Sequence, residues 1–178
     1  VPFQSGSTEI LRRMNRGYSR EKYLELIALI RKYVPNCTIT TDIIVGFPGE
    51  TEEDFEDTLR MLRRVKFDMI YSFIYSPRKG TPAAEMEDQI PDKVKSARFE
   101  RLLAVQNDIS LASNQPYENK VVRVLCDGIS KTNDHVYSGR TEQSKIVFFD
   151  GCESDTGKFL DIRVNRVEPF ALYGEKIN

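Results

Sequence analysis

The sequence predicts an α/β protein with parallel strands, followed by a small antiparallel β-barrel of the OB-like kind. Three observations carry that class. From residue 1 to about 115, strand-like and helix-periodic stretches alternate, the rhythm of parallel strands joined by right-handed crossovers. After Asn114-Gln115-Pro116-Tyr117, which reads as a linker, the pattern changes to short β-rich runs punctuated by Gly128, Gly139, Gly151, Gly157 and Gly174. Between these, Asp42 to Thr51 joins a strand, a glycine turn and a capped helix, the arrangement with which α/β proteins build ligand sites at the carboxyl end of a strand.

The elements follow in order. Ser7 can cap a short helix through Met14, which Gly17 stops, and Ser19 can cap a second. In that second helix Tyr23, Leu26, Ile27, Ile30 and Val34 form one apolar stripe, and Pro35 ends it. Thr38 to Val45 is β-branched and apolar apart from a few polar positions, a buried strand. Thr51, with Asp54 three residues on, makes a short-armed capping box for a helix from Glu52 to Arg64. Asp68 to Ser76 alternates Met69, Tyr71, Phe73 and Tyr75 against Ile70, Ser72, Ile74 and Ser76, a strand with two differently dressed faces. A Pro/Gly loop leads to a long helix from about Asp92 to Ser113. Five β runs then follow: Lys120 to Cys126, Val136 to Thr141, Lys145 to Phe149, Phe159 to Val167 and Ala171 to Gly174. The strict period of two in Leu160 to Asn165 marks one apolar and one polar face.

Local chemistry narrows what the glycine turn can hold. Glu50, Glu52, Glu53 and Asp54 crowd the first helical turn, which suits the helix dipole but repels an anion, and no Gly-Lys-Ser/Thr follows as a P-loop requires. A neutral or cationic group against the backbone is the better fit. Cys37, Cys126 and Cys152 lie far apart, which offers neither a disulfide framework nor a CxxC metal motif and favours a cytoplasmic setting. No apolar run reaches the roughly 20 residues of a membrane span. The formal net charge of -1 gives no global footprint for nucleic acid, so any RNA contact must come from local patches. The chain opens on Val1-Pro2-Phe3-Gln4, which reads as a strand end without an initiator Met, as a piece of a longer protein would.

Several blocks, taken together and in order, resemble the radical S-adenosylmethionine methylthiotransferases. They are Gln4-Ser5-Gly6-Ser7, Arg13 to Arg20, Thr41-Asp42 with Ile44 to Thr51, and Phe73 to Arg78 with Gly80 to Ala83. The terminal segment, with Gly128 to Lys131 and Ser138 to Glu142, resembles that family's TRAM domain, an RNA-binding β-barrel. Gly139-Arg140-Thr141 followed by Val147 to Gly151 is most similar to the tRNA-modifying branch. The resemblance implies a partial (βα) barrel over 1–115 and a TRAM barrel over 116–178. It implies S-adenosylmethionine and [4Fe-4S] clusters as cofactors, and a methylthio group added to C2 of N6-isopentenyladenosine in the tRNA anticodon stem-loop. The family's CxxxCxxC run is absent from this sequence, as is its amino-terminal domain. The isolated chain is therefore expected to lack activity without the missing amino-terminal part of the enzyme. A stand-alone tRNA-binding module, and a fragment of a relative acting on an aspartate of a ribosomal protein, are the other two readings.

Candidate residues follow from strand ends and loops. The resemblance implies that Gln4, Ser5, Asp42 and the Gly46-Phe47 backbone contact S-adenosylmethionine or order its pocket; alone, Asp42 reads equally as a buried carboxylate paired with an Arg. Arg16 can clamp a carboxylate with its bidentate fork, or stand solvated beside Gly17. Tyr71, Phe73 and Tyr75 can stack on a base or fill a core. Arg78 and Lys79 can touch phosphate or occupy a solvated turn. In the small barrel Lys131, Arg140 and Lys145 near strand ends, with Phe148 or Phe149 for stacking, match the basic-plus-aromatic pattern of single-stranded RNA sites. Asp127, Asp134, Glu142 and Asp150 dilute that patch, and His135, the only histidine, reads as an ordinary loop residue.

Overall fold

The computed structural model describes residues 1–130, 133 and 136–177, which divide into two units, Val1–Gln106 and Asn107–Asn178. Lys131, Asp134 and His135, singled out above from the sequence, lie outside the described residues.

In the first unit, β1 (Thr40–Val45) and β2 (Met69–Ile74) pair in parallel over their full length, Thr40 opposite Met69 and Val45 opposite Ile74. On the other side of β1, residues 1–5 run alongside in the same direction. The Val1 amino group donates to the Thr40 carbonyl at 3.1 Å, Gln4 N–H to Asp42 O at 2.8 Å, and Ile44 N–H to Gln4 O at 3.0 Å. Thr41, Ile43 and Val45 point into the core, whereas Asp42 and Ile44 on the opposite face are half-buried.

The helices begin where their capping residues dictate. Ser7 opens α1 (Thr8–Arg13), accepting from Ile10 N–H and donating its hydroxyl to Asp54 at 2.6 Å. Ser19 opens α2 (Arg20–Tyr33). Thr51 opens α3 (Glu52–Val65) with both halves of the capping box formed, each satisfying a donor that the helix start leaves orphaned. The long helix α4 runs Asp92–Asn114.

Two expectations need correction. The apolar stripe of α2 is only partly buried: Tyr23 packs against Phe3 and Phe67 and Ile27 is buried, but Leu26 and Val34 are exposed. A helix turns about 100° per residue, so Tyr23, Ile27 and Ile30 share one row while Leu26 falls on its flank. The linker expected at Asn114 to Tyr117 is instead the end of α4 followed at once by a 3-10 turn, Gln115–Tyr117. The Asn114 amide donates to the Glu168 carbonyl at 2.7 Å, which holds that corner in place.

The second unit is a closed five-stranded barrel in the order β3-β4-β5-β7-β6. The strands are β3 (Val121–Ile129), β4 (Tyr137–Thr141), β5 (Ile146–Phe149), β6 (Phe159–Val167) and β7 (Leu172–Lys176). All neighbours are antiparallel except β5 and β7, which run parallel. Inward positions alternate with outward ones, so Val124, Cys126, Val147, Phe149, Ile162, Val164 and Leu172 fill the interior. Phe149, offered by the sequence as a stacking residue, is therefore core. A bulge in β3 sets Asp127 as an extra residue between Cys126 and Gly128, and Gly128 takes the φ of +118° that the kink requires.

Candidate functional site

A cleft of about 500 Å³ opens at the carboxyl ends of β1 and β2. Phe47, from the turn after β1, forms one wall edge-on to Tyr75, with ring centroids 5.2 Å apart. Ile44, Phe73 and Met14 complete the apolar lining. Arg16, from the end of α1, and Arg78, from the loop after β2, bring two cations to the same cleft. The Tyr75 hydroxyl is buried and no group among the described residues bonds to it. Buried polar groups are nearly always paired, so this oxygen is a ready partner for a polar atom of a ligand.

The sequence-derived residues separate here. Arg16, Phe47 and Arg78 converge on the cleft, while Lys79 is exposed outside its lining. Gln4 and Ser5 are buried and are not among the residues that line it. Gln4 holds a left-handed φ of +60° and its side-chain oxygen accepts from the Tyr18 hydroxyl; Ser5 Oγ accepts from Ser7 N–H at 3.2 Å. Asp42 is half-buried, opposite Tyr71 in the parallel ladder, and among the described residues no cation pairs with it. Tyr71 and Phe73, at 53% and 54% exposure, stand open on that face.

Sequence reasoning missed how the glycine turn is held. Gly46, at φ +76°, is approached by Lys95 and not by open space: a Cβ there would sit 2.2 Å from Lys95 Cγ. The Gly46 N–H donates to Glu50 Oε2 at 2.9 Å. Glu50, 2% exposed, accepts from Arg98 Nη1 at 2.9 Å, and the same nitrogen donates to the Glu50 carbonyl. Lys95 Nζ reaches the Tyr75 carbonyl at 3.3 Å. α4 thus clamps both the turn after β1 and the end of β2. Burial pushes the Glu50 carboxyl up to about 7, against the pull of the Gly46 N–H and Arg98. No local motif announces this pair, because Arg98 lies 48 residues from Glu50.

The barrel carries its own candidate face. Arg140 and Phe148 line a cleft of about 400 Å³ with Asp127, Ile129, Ser130, Ser138 and Ile146. Arg140 Nε stands 3.5 Å from Asp127 Oδ2. Phe148 packs against Tyr173 at 5.5 Å, and the Arg166 guanidinium covers the Tyr173 ring at 3.6 Å. Lys145 lies apart from this cleft, donating to Ser113 Oγ at 3.0 Å near the Tyr117 ring.

Residues 1–62 match the Radical SAM superfamily and residues 115–177 match the TRAM domain. The tRNA-2-methylthio-N(6)-dimethylallyladenosine synthase of Acetivibrio thermocellus is 53% identical over 98% of this chain. A Radical SAM segment followed by a TRAM segment is thus joined in one chain, which is similar to that methylthiotransferase through both. Relatives of the same name from Alkaliphilus oremlandii and Clostridium botulinum are 52% and 49% identical, each over 99% of the chain. The chain spans only 36%, 38% and 39% of these three methylthiotransferases.

The strand-end cleft fits S-adenosylmethionine in kind: an aromatic wall for a base, the Arg16 cation for a carboxylate, and an orphaned buried hydroxyl. A [4Fe-4S] cluster finds no such fit. Cys37, Cys126 and Cys152 are free thiols, and among the described residues no group of three or more His, Cys, Asp or Glu is placed to hold a metal. No helix among the described residues is long and apolar enough to cross a membrane.

Proposed function

We propose that this chain is part of a cytoplasmic tRNA methylthiotransferase that modifies C2 of N6-isopentenyladenosine beside the anticodon. Residues 1–115 are then the carboxyl-terminal part of the radical barrel, and 116–178 the TRAM barrel that holds the anticodon stem-loop. One observation carries this reading: 53% identity to a synthase of that name extends over 98% of the chain and so through both segments. S-adenosylmethionine, once bound, supplies the radical and the methyl group.

The chain's own residues bind and orient. Phe47 and Tyr75, packed edge to face, would present one aromatic wall to the adenine, and the Tyr75 hydroxyl would meet one of its polar atoms. The Arg16 guanidinium holds the methionyl carboxylate in a bidentate pair. Gln4, Ser5 and Asp42 order the strand ends from behind, and Gly46 shapes the turn. Arg78 and Lys79 meet RNA phosphate at the rim, with Lys131, Arg140, Lys145 and Phe148 holding RNA on the barrel. The chain alone is expected to be incompetent, because it lacks the cysteine run that would hold a cluster.

Nucleoside mass spectrometry of bulk tRNA from a strain deleted for the parent gene tests the assignment. The methylthio form is expected to vanish with N6-isopentenyladenosine left in its place; an unchanged profile rejects it. In the complete enzyme, Tyr75→Phe is expected to weaken S-adenosylmethionine binding by about 0.5–1.5 kcal/mol, read by calorimetry.

A further inference from the structure

The barrel cleft has more structure than general RNA affinity needs. Phe148 forms one wall and Ile129 and Ile146 add apolar surface, with Ile129 55% exposed. The polar end is a matched pair, the Asp127 carboxylate beside Arg140 Nε. Asp127 owes its place to the β3 bulge, where one extra residue faces Ser138 and Gly139 of β4. A volume of about 400 Å³ is of a size to take a single nucleotide.

A carboxylate is an odd choice for a surface meant only to attract phosphate, which it repels. It is well suited to reading a base edge. Guanine presents N1–H and N2–H side by side, two donors for the two oxygens of one carboxylate, with O6 next to them as an acceptor for a guanidinium. Uracil presents one donor between two carbonyls, which the same carboxylate meets unfavourably. Unpaired bases in RNA are recognised by stacking on aromatic rings and by hydrogen bonds to the Watson–Crick edge.

We infer that this cleft is a one-base subsite for unpaired RNA that favours guanine. Phe148 stacks on the base, Asp127 accepts from N1–H and N2–H, and Arg140 donates to O6. The inference rests on the reading of the barrel as an RNA-binding unit and adds a base preference to it.

The test uses the whole 178-residue chain and two fluorescein-labelled heptamers, all-uridine and uridine with one central guanosine, in anisotropy titrations at one fixed salt concentration. The guanosine heptamer is expected to bind at least about threefold tighter. Asp127→Asn is expected to abolish that preference, weakening the guanosine heptamer and, with the repelling charge gone, tightening the all-uridine one. Phe148→Leu is expected to weaken both by at least about fivefold, in line with the contribution of one stacked base. Circular dichroism melts within a few degrees of the parent confirm that both variants are folded. Binding of both heptamers with equal affinity, or unaltered by the two variants, overturns the subsite and leaves the RNA reading in place. Failure of the parent chain to bind either heptamer overturns both.

Discussion

At the scale of single residues, Glu50 and Arg98 matter most to the shape of the strand-end cleft. Removing one partner of a buried ion pair leaves the other uncompensated, so Arg98→Ala is expected to destabilise the first unit by about 3–5 kcal/mol in urea titrations. Glu50 also gives stability a pH signature. Its carboxyl rises from the usual 4.5 to about 7 on folding, because burial outweighs the Gly46 and Arg98 bonds. The folded state therefore binds the extra proton between those values. The Glu50 contribution is fully present below pH 4.5 and is lost as the pH climbs through about 7. Glu52 and Asp54 shift the other way, held low by Arg101 and by Ser7 and Thr51, the latter pair offsetting the cost of burying Asp54; they lose stability on acidification. The clean observable is the difference between parent and Glu50→Gln, which is expected to decline between pH 4.5 and 7; a flat difference contradicts the assignment. Little of this was legible beforehand. Glu50 read as one more acid in a crowded helical start, whereas the fold turns it inward and leaves Glu52 outside.

At the scale of elements, the sequence was legible wherever a local rule set the boundary. Ser7, Ser19 and Thr51 each begin a helix because a side-chain oxygen can accept an orphaned N–H, and the β-branched run before Gly46 can only be a strand. Thr51→Ala is expected to cost about 1 kcal/mol, seen as a lower urea midpoint with unchanged slope. What the local rules could not give was which face of an element finds a partner. Leu26 belongs to an apolar stripe by period but not by packing, and Phe148 and Phe149 differ only in parity: one is on the outer face beside Tyr173, the other in the barrel core. Of the predicted site residues, Arg16, Phe47 and Arg78 sit at element ends where their position follows from the turn, and these meet in the cleft. Gln4 and Ser5 were named from a block that resembles the family's, and the register of residues 1–5 against β1 buries both.

At the scale of the whole molecule, each unit carries a cleft of its own, one at the strand ends of Val1–Gln106 and one on the barrel of Asn107–Asn178. Removing residues 116–178 is expected to weaken binding of an anticodon stem-loop by at least tenfold in filter-binding titrations at fixed salt, with a shallower salt dependence as basic contacts are lost. Unchanged affinity would move the RNA surface to the first unit. The strand order of the barrel carries a last consequence. β7 lies between β5 and β6 and supplies the hydrogen bonds of both seams. Every earlier strand of that unit can be synthesised and still leave an open sheet with two bare edges. Closure waits for Leu172–Lys176, so on the ribosome this unit cannot finish folding until nearly all of it has emerged, and a nascent chain stalled before β7 exposes edges that invite pairing with its neighbours.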